Sequence, residues 1–207
     1  MRFGIHNSSW LDGPDPADAF EVVKVKAQWA ENHGFVWFSV LDHMIQIPRV
    51  GAPDDPFLEG WTVLAGLAAV TSRIRLATLA TAVGYRNPAH LAKIAASVDL
   101  ISRGRLTLGI GAGFFEDEYK QYGWEFPPQP ATRIRQMEEA VAATLTTKRE
   151  RLAARGPLRG FVGAVSEAID LIGQYQDAGV DLLINADRRN DVETRELFVS
   201  DVMPHFA

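Results

Sequence analysis

The sequence predicts an α/β fold: a parallel sheet covered by helices, built as in a (β/α)8 (TIM) barrel or in a doubly wound sheet. Apolar runs of strand length alternate with segments whose apolar residues recur at helical spacing. The runs are continuously apolar, as in strands buried on both faces. Only five runs read as strands in the 207 residues. A complete barrel takes about 250 residues, so the chain is short by about three βα units.

The elements follow in order. RFGIH (2–6) is the first strand, and a helix over 17–33 carries Phe20, Val23, Ala27 and Ala30 on one face. Gly34 ends that helix and introduces the second strand, VWFSVLDH (36–43). A loop with Pro48, Gly51, Pro53 and Pro56 leads to an apolar helix over 57–71. RLATLATAV (75–83) is the third strand, and Pro88 marks the start of a helix that runs to 101. The glycine turn SRGR (102–105) leads into the fourth strand, RLTLGIGAG (105–113). After GWEFPPQP (123–130), Thr132 reads as the N-cap of a helix carrying Ile134, Met137, Val141 and Leu145. TTKRERLAARGPLR (146–159) is polar and holds no strand. A last unit comprises a helix over 165–178, the strand VDLLIN (180–185) and a helix over 192–202. The chain reads as one domain over 1–207: four βα units to 145, a junction at 146–160 and a final unit from 161.

Composition narrows the function classes. With 47% hydrophobic residues, including eleven Phe and five Trp, the chain can bury a core and is not a disordered segment. A net charge of −5 argues against nucleic acid, which needs a basic face. The one basic block, KRER (148–151), reads as a solvated helix face. The absence of cysteine excludes disulfides, thiolate metal sites and Cys nucleophiles, and fits a reducing cytoplasm. MRFGIHNSSW lacks a secretory h-region, and the longest apolar stretch, around 63–70, is too short to span a bilayer. The expectation is a soluble cytoplasmic protein.

The glycine run at 109–113 invites a phosphate-loop reading, and its spacing refuses it. The dinucleotide fingerprint needs a glycine where Phe114 stands, and no Gly-Lys-Ser/Thr follows. Neither a zinc-binding H-E-x-x-H nor a G-x-S-x-G elbow is present. The two-residue strand period puts Ile110 and Ala112 on the face opposite the glycines. Gly111 and Gly113, near the strand's C-terminal end, leave room for a flat ring or for a close backbone approach. Glu116, Asp117 and Glu118 look like paired carboxylates but open a helix, where acids complement the dipole.

VLDHM (40–44), EGWTVLAGLAAVTSRIRLATLAT (59–81), YRNPAHLAK (85–93), the SRGR turn and LGIGAGFFEDEYKQYGWEFP (108–127) together resemble the luciferase-like monooxygenase superfamily. Within it they are similar to the branch of deazaflavin (coenzyme F-420)-dependent oxidoreductases. The likeness covers 1–145 and resumes at GFVGAVSEAIDLIGQYQDAGVDLLI (160–184), which is similar to the family's last barrel unit. The family's fifth to seventh βα units have no counterpart between them.

The resemblance implies a TIM-barrel-derived, luciferase-like fold in shortened form. It implies hydride transfer between a bound ring and a small organic substrate, with F-420 as the cofactor and FMN as the alternative. His43, with Asp42 beside it, would be the ring-side proton donor or hydrogen-bonding group; read without the resemblance, His43 caps a strand end and bonds backbone. Thr78, Leu79, Ala80 and Thr81 would line the ring, with a non-prolyl cis peptide at Leu79–Ala80 and Thr81 bonding ring heteroatoms. Gly111 and Gly113 would face the ring, and Asn7, at the end of the first strand, is a further candidate. Arg86 reads as either an anion contact or a solvated loop residue, His90 as structural or exposed, and Trp61 as packing. A second reading is a shortened, non-catalytic relative that binds the ring or dimerises; a homodimer is expected. A doubly wound nucleotide-binding domain is the third, and the failed glycine spacing counts against it.

Overall fold

The computed structural model describes residues 1–10, 15–144, 165–187 and 192–206. The junction expected at 146–160 therefore lies outside the described residues. In chain order the elements begin with β1 (Arg2–Asn7), α1 (Ala19–Asn32), β2 (Trp37–Val40), α2 (Gly60–Val70), β3 (Arg75–Thr78) and β4 (Thr81–Ala82). They continue with α3 (Pro88–Ile101), β5 (Leu106–Thr107), β6 (Ile110–Gly111), α4 (Glu116–Gln121) and α5 (Pro130–Thr144). α6 (Val165–Asp177), β7 (Leu182–Asp187) and α7 (Val192–Leu197) complete the series.

The main sheet is parallel throughout and ordered β5-β3-β2-β1-β7. The chain steps outward from β1 one strand at a time, then returns to the other side of β1. That is the order of a barrel wall, in which the last strand closes on the first. Among the described residues the sheet stays open, with β5 and β7 at its edges. A short parallel pair, β4 with β6, continues the third and fourth strands beyond it.

The strand period decides what each face holds. Phe3 meets Phe198 edge-on at 5.3 Å, and Asn7 accepts a hydrogen bond from Lys26 of α1, so this set faces the helices. His6 lies on the other face, with its Nδ1 3.0 Å from Ser39 Oγ. Between sheet and helices, Ile5, Phe38, Val40, Leu64, Leu67 and Leu76 form one buried core. A smaller aromatic cluster joins Tyr85, Tyr119, Trp124 and Phe126, with Arg133 over the Phe126 ring at 4.4 Å.

Several boundaries differ from the sequence expectation. The second strand ends at Val40 rather than at residue 43, because Leu41–His43 leave the sheet to form the site described below. The third strand is interrupted between Thr78 and Thr81, where the Leu79–Ala80 peptide is cis, as the resemblance implied. The fourth is interrupted in turn, and at the break the Gly109 carbonyl accepts from Thr81 N and Thr78 Oγ1. A Cβ on Gly109 would collide with the Thr78 carbonyl, which accounts for the first glycine of the run. α5 starts at Pro130, not after Thr132, since proline needs no donor in a first helical turn. The last strand runs two residues later than expected, because it pairs residue for residue with β1 from Arg2 to Asn7. α7 ends at Leu197, and a π turn (Phe198–Val202) and a 3-10 turn (Met203–Phe206) follow it.

Arg105, at the end of the SRGR turn, ties the far end of the sheet together. Its Nε donates to Ser102 O at 2.8 Å; Nη1 donates to Ile74 O and Thr71 Oγ1, and Nη2 to Ala68 O and Thr71 O, all at 2.8–2.9 Å. Two of these bonds satisfy the Ala68 and Thr71 carbonyls at the C-terminus of α2, which have no helical partner. Replacing Arg105 by Met leaves them unpaired. Urea denaturation of Arg105→Met is expected to show a loss of about 3 kcal/mol; an unchanged midpoint would show that the carbonyls find other donors.

Candidate active site

Asp42 and His43 follow β2 directly, and the two neighbours are held from opposite directions. Asp42 is buried and receives a bidentate pair from Arg86, Nη1 to Oδ2 at 2.7 Å and Nη2 to Oδ1 at 2.9 Å. Arg86 Nη2 also reaches Glu59 Oε1 at 2.5 Å, while the Glu59 side chain caps α2 by accepting from Thr62 N. Burial raises the Asp42 carboxyl to about 6, against the pull of the Arg86 hydrogen bonds and charge. At neutral pH it is the anion of a buried Arg–carboxylate pair. Arg86, read from the sequence as an anion contact or a solvated loop residue, is bound within the protein.

His43 turns to α4. Its Nδ1 lies 2.8 Å from Glu118 Oε2, and the same oxygen accepts the Tyr85 hydroxyl. Glu118 Oε1 takes the amides of Met44 (2.5 Å) and Ile45 (3.3 Å). The Glu118 side chain is 0% exposed. Burial alone would raise its carboxyl, but the hydrogen bonds from His43, Tyr85 and Met44 outweigh burial and hold it below the ordinary value. Burial, then the hydrogen bond and charge of Glu118, push the Tyr85 phenol up, so it stays protonated and donates. Tyr119 is pushed up to about 12, by burial first and by Glu118 second.

Beside His43 lies a cavity of about 380 Å³. The Leu79–Ala80 backbone, Ala82, Gly111, Ala112 and Gly113 form one wall; Leu41, Ile47 and Phe114 add apolar surface. Its volume is that of a small-molecule site. Phe114 is 70% exposed at the mouth, with its ring edge-on to His43 at 5.5 Å. No Lys or Arg is among the lining residues.

Six of the nine residues singled out from the sequence line this cavity: Asp42, His43, Leu79, Ala80, Gly111 and Gly113. Thr78 and Thr81 stand behind its wall in a buried relay, Trp61 Nε1 to Thr81 Oγ1 (3.1 Å), Thr81 to Thr78 (2.8 Å), and Thr78 to Gly109 O (3.1 Å). Trp61 is packed in the core, as its spacing indicated, and also anchors this relay. Asn7 is fully buried away from the cavity lining, accepting from Lys26 and donating to Ser9 O. The glycines separate by cause. A Cβ on Gly113 would strike the Tyr119 hydroxyl, and its φ is +77°, so protein packing demands glycine there. A Cβ on Gly111 would meet only Ala80 Cβ at 3.6 Å and Thr81 O at 3.9 Å, ordinary contacts. The space kept open at Gly111 belongs to the cavity.

A family profile described as luciferase-like monooxygenase matches residues 1–169. The chain belongs to the luciferase-like monooxygenase family. Its relatives include the pyrimidine monooxygenase RutA of Acinetobacter baylyi, 38% identical over 153 residues, covering 68% of this chain and 40% of the relative. Among solved structures, the oxygenating constituent of 3,6-diketocamphane monooxygenase from Pseudomonas putida, solved with FMN, superposes with a TM-score of 0.58 at 23% identity. That match covers 75% of this chain and 42% of the other. An F420-dependent secondary alcohol dehydrogenase with an F420-acetone adduct gives 0.57 at 24%, covering 77% and 46%. These two likenesses establish the luciferase-like, TIM-barrel-derived fold. The chain spans less than half the length of the curated relatives it matches.

Sequence reasoning missed Glu118, whose two oxygens meet four polar groups beside the cavity. It was read with Glu116 and Asp117 as a dipole-complementing acid, but those two are exposed and Glu118 is not. A signal was present: Glu118 follows Phe115 by three positions and immediately precedes buried Tyr119, which puts it on the inward side of α4. A carboxyl held below its ordinary value stabilises the fold above the unfolded-state value of 4.5, and that contribution is lost as pH falls through the folded value. Thermal unfolding followed from pH 6 downward should therefore show an acid-side decline that is shallower in Glu118→Gln. Parallel curves for the two proteins would assign the decline to other carboxylates.

Proposed function

We propose that this chain carries the ring-binding half of a flavin- or deazaflavin-dependent oxidoreductase acting on a small organic substrate, with Asp42, His43, Leu79, Ala80, Gly111 and Gly113 in the site. The observation that carries the reading is the clearance at Gly111, on the same wall as the Leu79–Ala80 backbone, in the cavity that His43 also lines. A flat ring with apolar faces fits a slot walled by backbone, alanines and leucines. When bound, the flavin or deazaflavin supplies the hydride chemistry. The chain's own residues do the rest. The wall of Leu79–Ala80 and Gly111–Gly113 orients the ring, and Phe114 shields the mouth from water. His43 holds or moves a proton at Nε2, the ring nitrogen that Glu118 does not engage. The lining contains no cation, so a phosphate-bearing tail would be held by residues outside this cavity. The proposal favours F-420 over FMN on the branch resemblance of residues 40–127.

A second reading, a relative that binds the ring without turnover, is favoured by a sheet that stays open among the described residues. The one-domain organisation over 1–207 and a homodimer formed through the open β5 and β7 edges belong to the proposal too.

Titration of the chain with F-420 and with FMN, followed by ligand fluorescence, tests the site. Saturable binding is expected, tighter for F-420, and weakened about tenfold (about 1.4 kcal/mol) in Gly111→Ala. Since the added methyl meets only ordinary contacts, the melting temperature of that variant should stay within about 2 °C. Failure of both ligands to bind contradicts the reading, whereas binding without reduction or oxidation of any substrate tried supports the non-catalytic relative. Sedimentation equilibrium should give twice the 22.8 kDa chain mass; a folded monomer would remove the dimer from the proposal.

A further inference from the structure

We propose that Glu118 is the positioning residue of this site: it fixes the proton of neutral His43 on Nδ1 and presents the Nε2 lone pair to the cavity. The claim that this nitrogen then meets a substrate proton rests on the function proposed above; the tautomer itself does not.

The hydrogen-bond inventory around Glu118 carries the argument. Four polar groups converge on its two oxygens: His43 Nδ1, the Tyr85 hydroxyl, and the amides of Met44 and Ile45. Two of these, the amides, can only donate. The Tyr85 phenol, which burial and Glu118 keep protonated, donates to Oε2. The two amides occupy Oε1, and together the bonds hold the carboxyl below its ordinary value. Glu118 is therefore the anion, and a carboxylate only accepts. His43 Nδ1 must then be the donor, so the neutral ring is left with its lone pair on Nε2. The ring is further located by Phe114 and Phe115, edge-on at 5.5 and 6.1 Å, and it lines the cavity.

Of the two roles the resemblance implies for His43, this gives the hydrogen-bonding one to the resting ring. In the neutral ring Nε2 is a proton acceptor, and it becomes a donor only after taking a proton. The carboxylate on Nδ1–H stabilises the imidazolium that results, as an orienting acid does behind a catalytic histidine. A carboxylate that merely braced α4 against the Met44–Ile45 amides would leave the tautomer to the ring's own preference.

Long-range ¹H–¹⁵N spectra of histidine-labelled protein without cofactor, at an alkaline pH where histidine side chains are neutral, test this directly. The chain has five histidines, and the His43 signals are those absent from His43→Gln. Wild-type His43 is expected to show a protonated-type Nδ1 and an unprotonated-type Nε2. Glu118→Gln, which keeps an acceptor oxygen in place, should retain that pattern in the main, while Glu118→Leu should lose it. An Nε2-protonated wild-type ring overturns the proposal even if the leucine variant does not fold, and so does an unchanged tautomer in a folded Glu118→Leu. Because no cofactor is present, failure of ring binding leaves this result standing and removes only the meeting of Nε2 with a substrate.

Discussion

The buried carboxylate of Glu118 is the interaction on which the site depends. It joins α4 to the segment after β2, and it fixes His43, Met44 and Ile45 at once. The bond from Tyr85 adds the turn before α3 to the same point. Without that anion the part-buried Met44 and Ile45 amides would lose their acceptor, which is costly where water is scarce. Its counterpart is the Asp42–Arg86–Glu59 group on the other side of the same dipeptide. Asp42 is drawn toward the start of α3 and His43 toward α4, so consecutive side chains pin the strand end from both sides.

The two acids also show how surroundings set charge. Asp42 depends on one guanidinium, which it shares with Glu59, and burial wins: the carboxyl rises. Glu118 has several donors to itself, and burial loses: the carboxyl falls. The result at neutral pH is two anions of different origin. One is held by a cation; the other is held mainly by hydrogen bonds and can therefore set the proton position on a neighbouring ring.

Much of the fold was legible because continuous apolar runs and helical spacing are local signals. The order β5-β3-β2-β1-β7 follows from a chain that steps along one sheet, and the barrel-like return of the last strand followed from the family likeness. Local signals could not place the breaks in the third and fourth strands, which arise where Gly109 approaches Thr78 across the sheet. Strand-end position picked out Asp42, His43, Leu79, Ala80, Gly111 and Gly113, which line the cavity. It failed for Asn7, Thr78 and Thr81 as lining residues, because the strand period turns those side chains away from the cavity and toward buried partners. Glu118 and Arg86 were misjudged because their partners lie 75 and 44 residues away in sequence.

The family provides the barrel-derived fold, and this chain's own residues provide a cavity whose open space at Gly111 has no structural cause. A crystal structure of the chain with F-420 or FMN tests that account most directly. The predicted result is ring density lying against Leu79–Ala80 and Gly111, within hydrogen-bonding reach of His43 Nε2. Density for the ring elsewhere, or a cavity closed by the chain's own side chains, would contradict it.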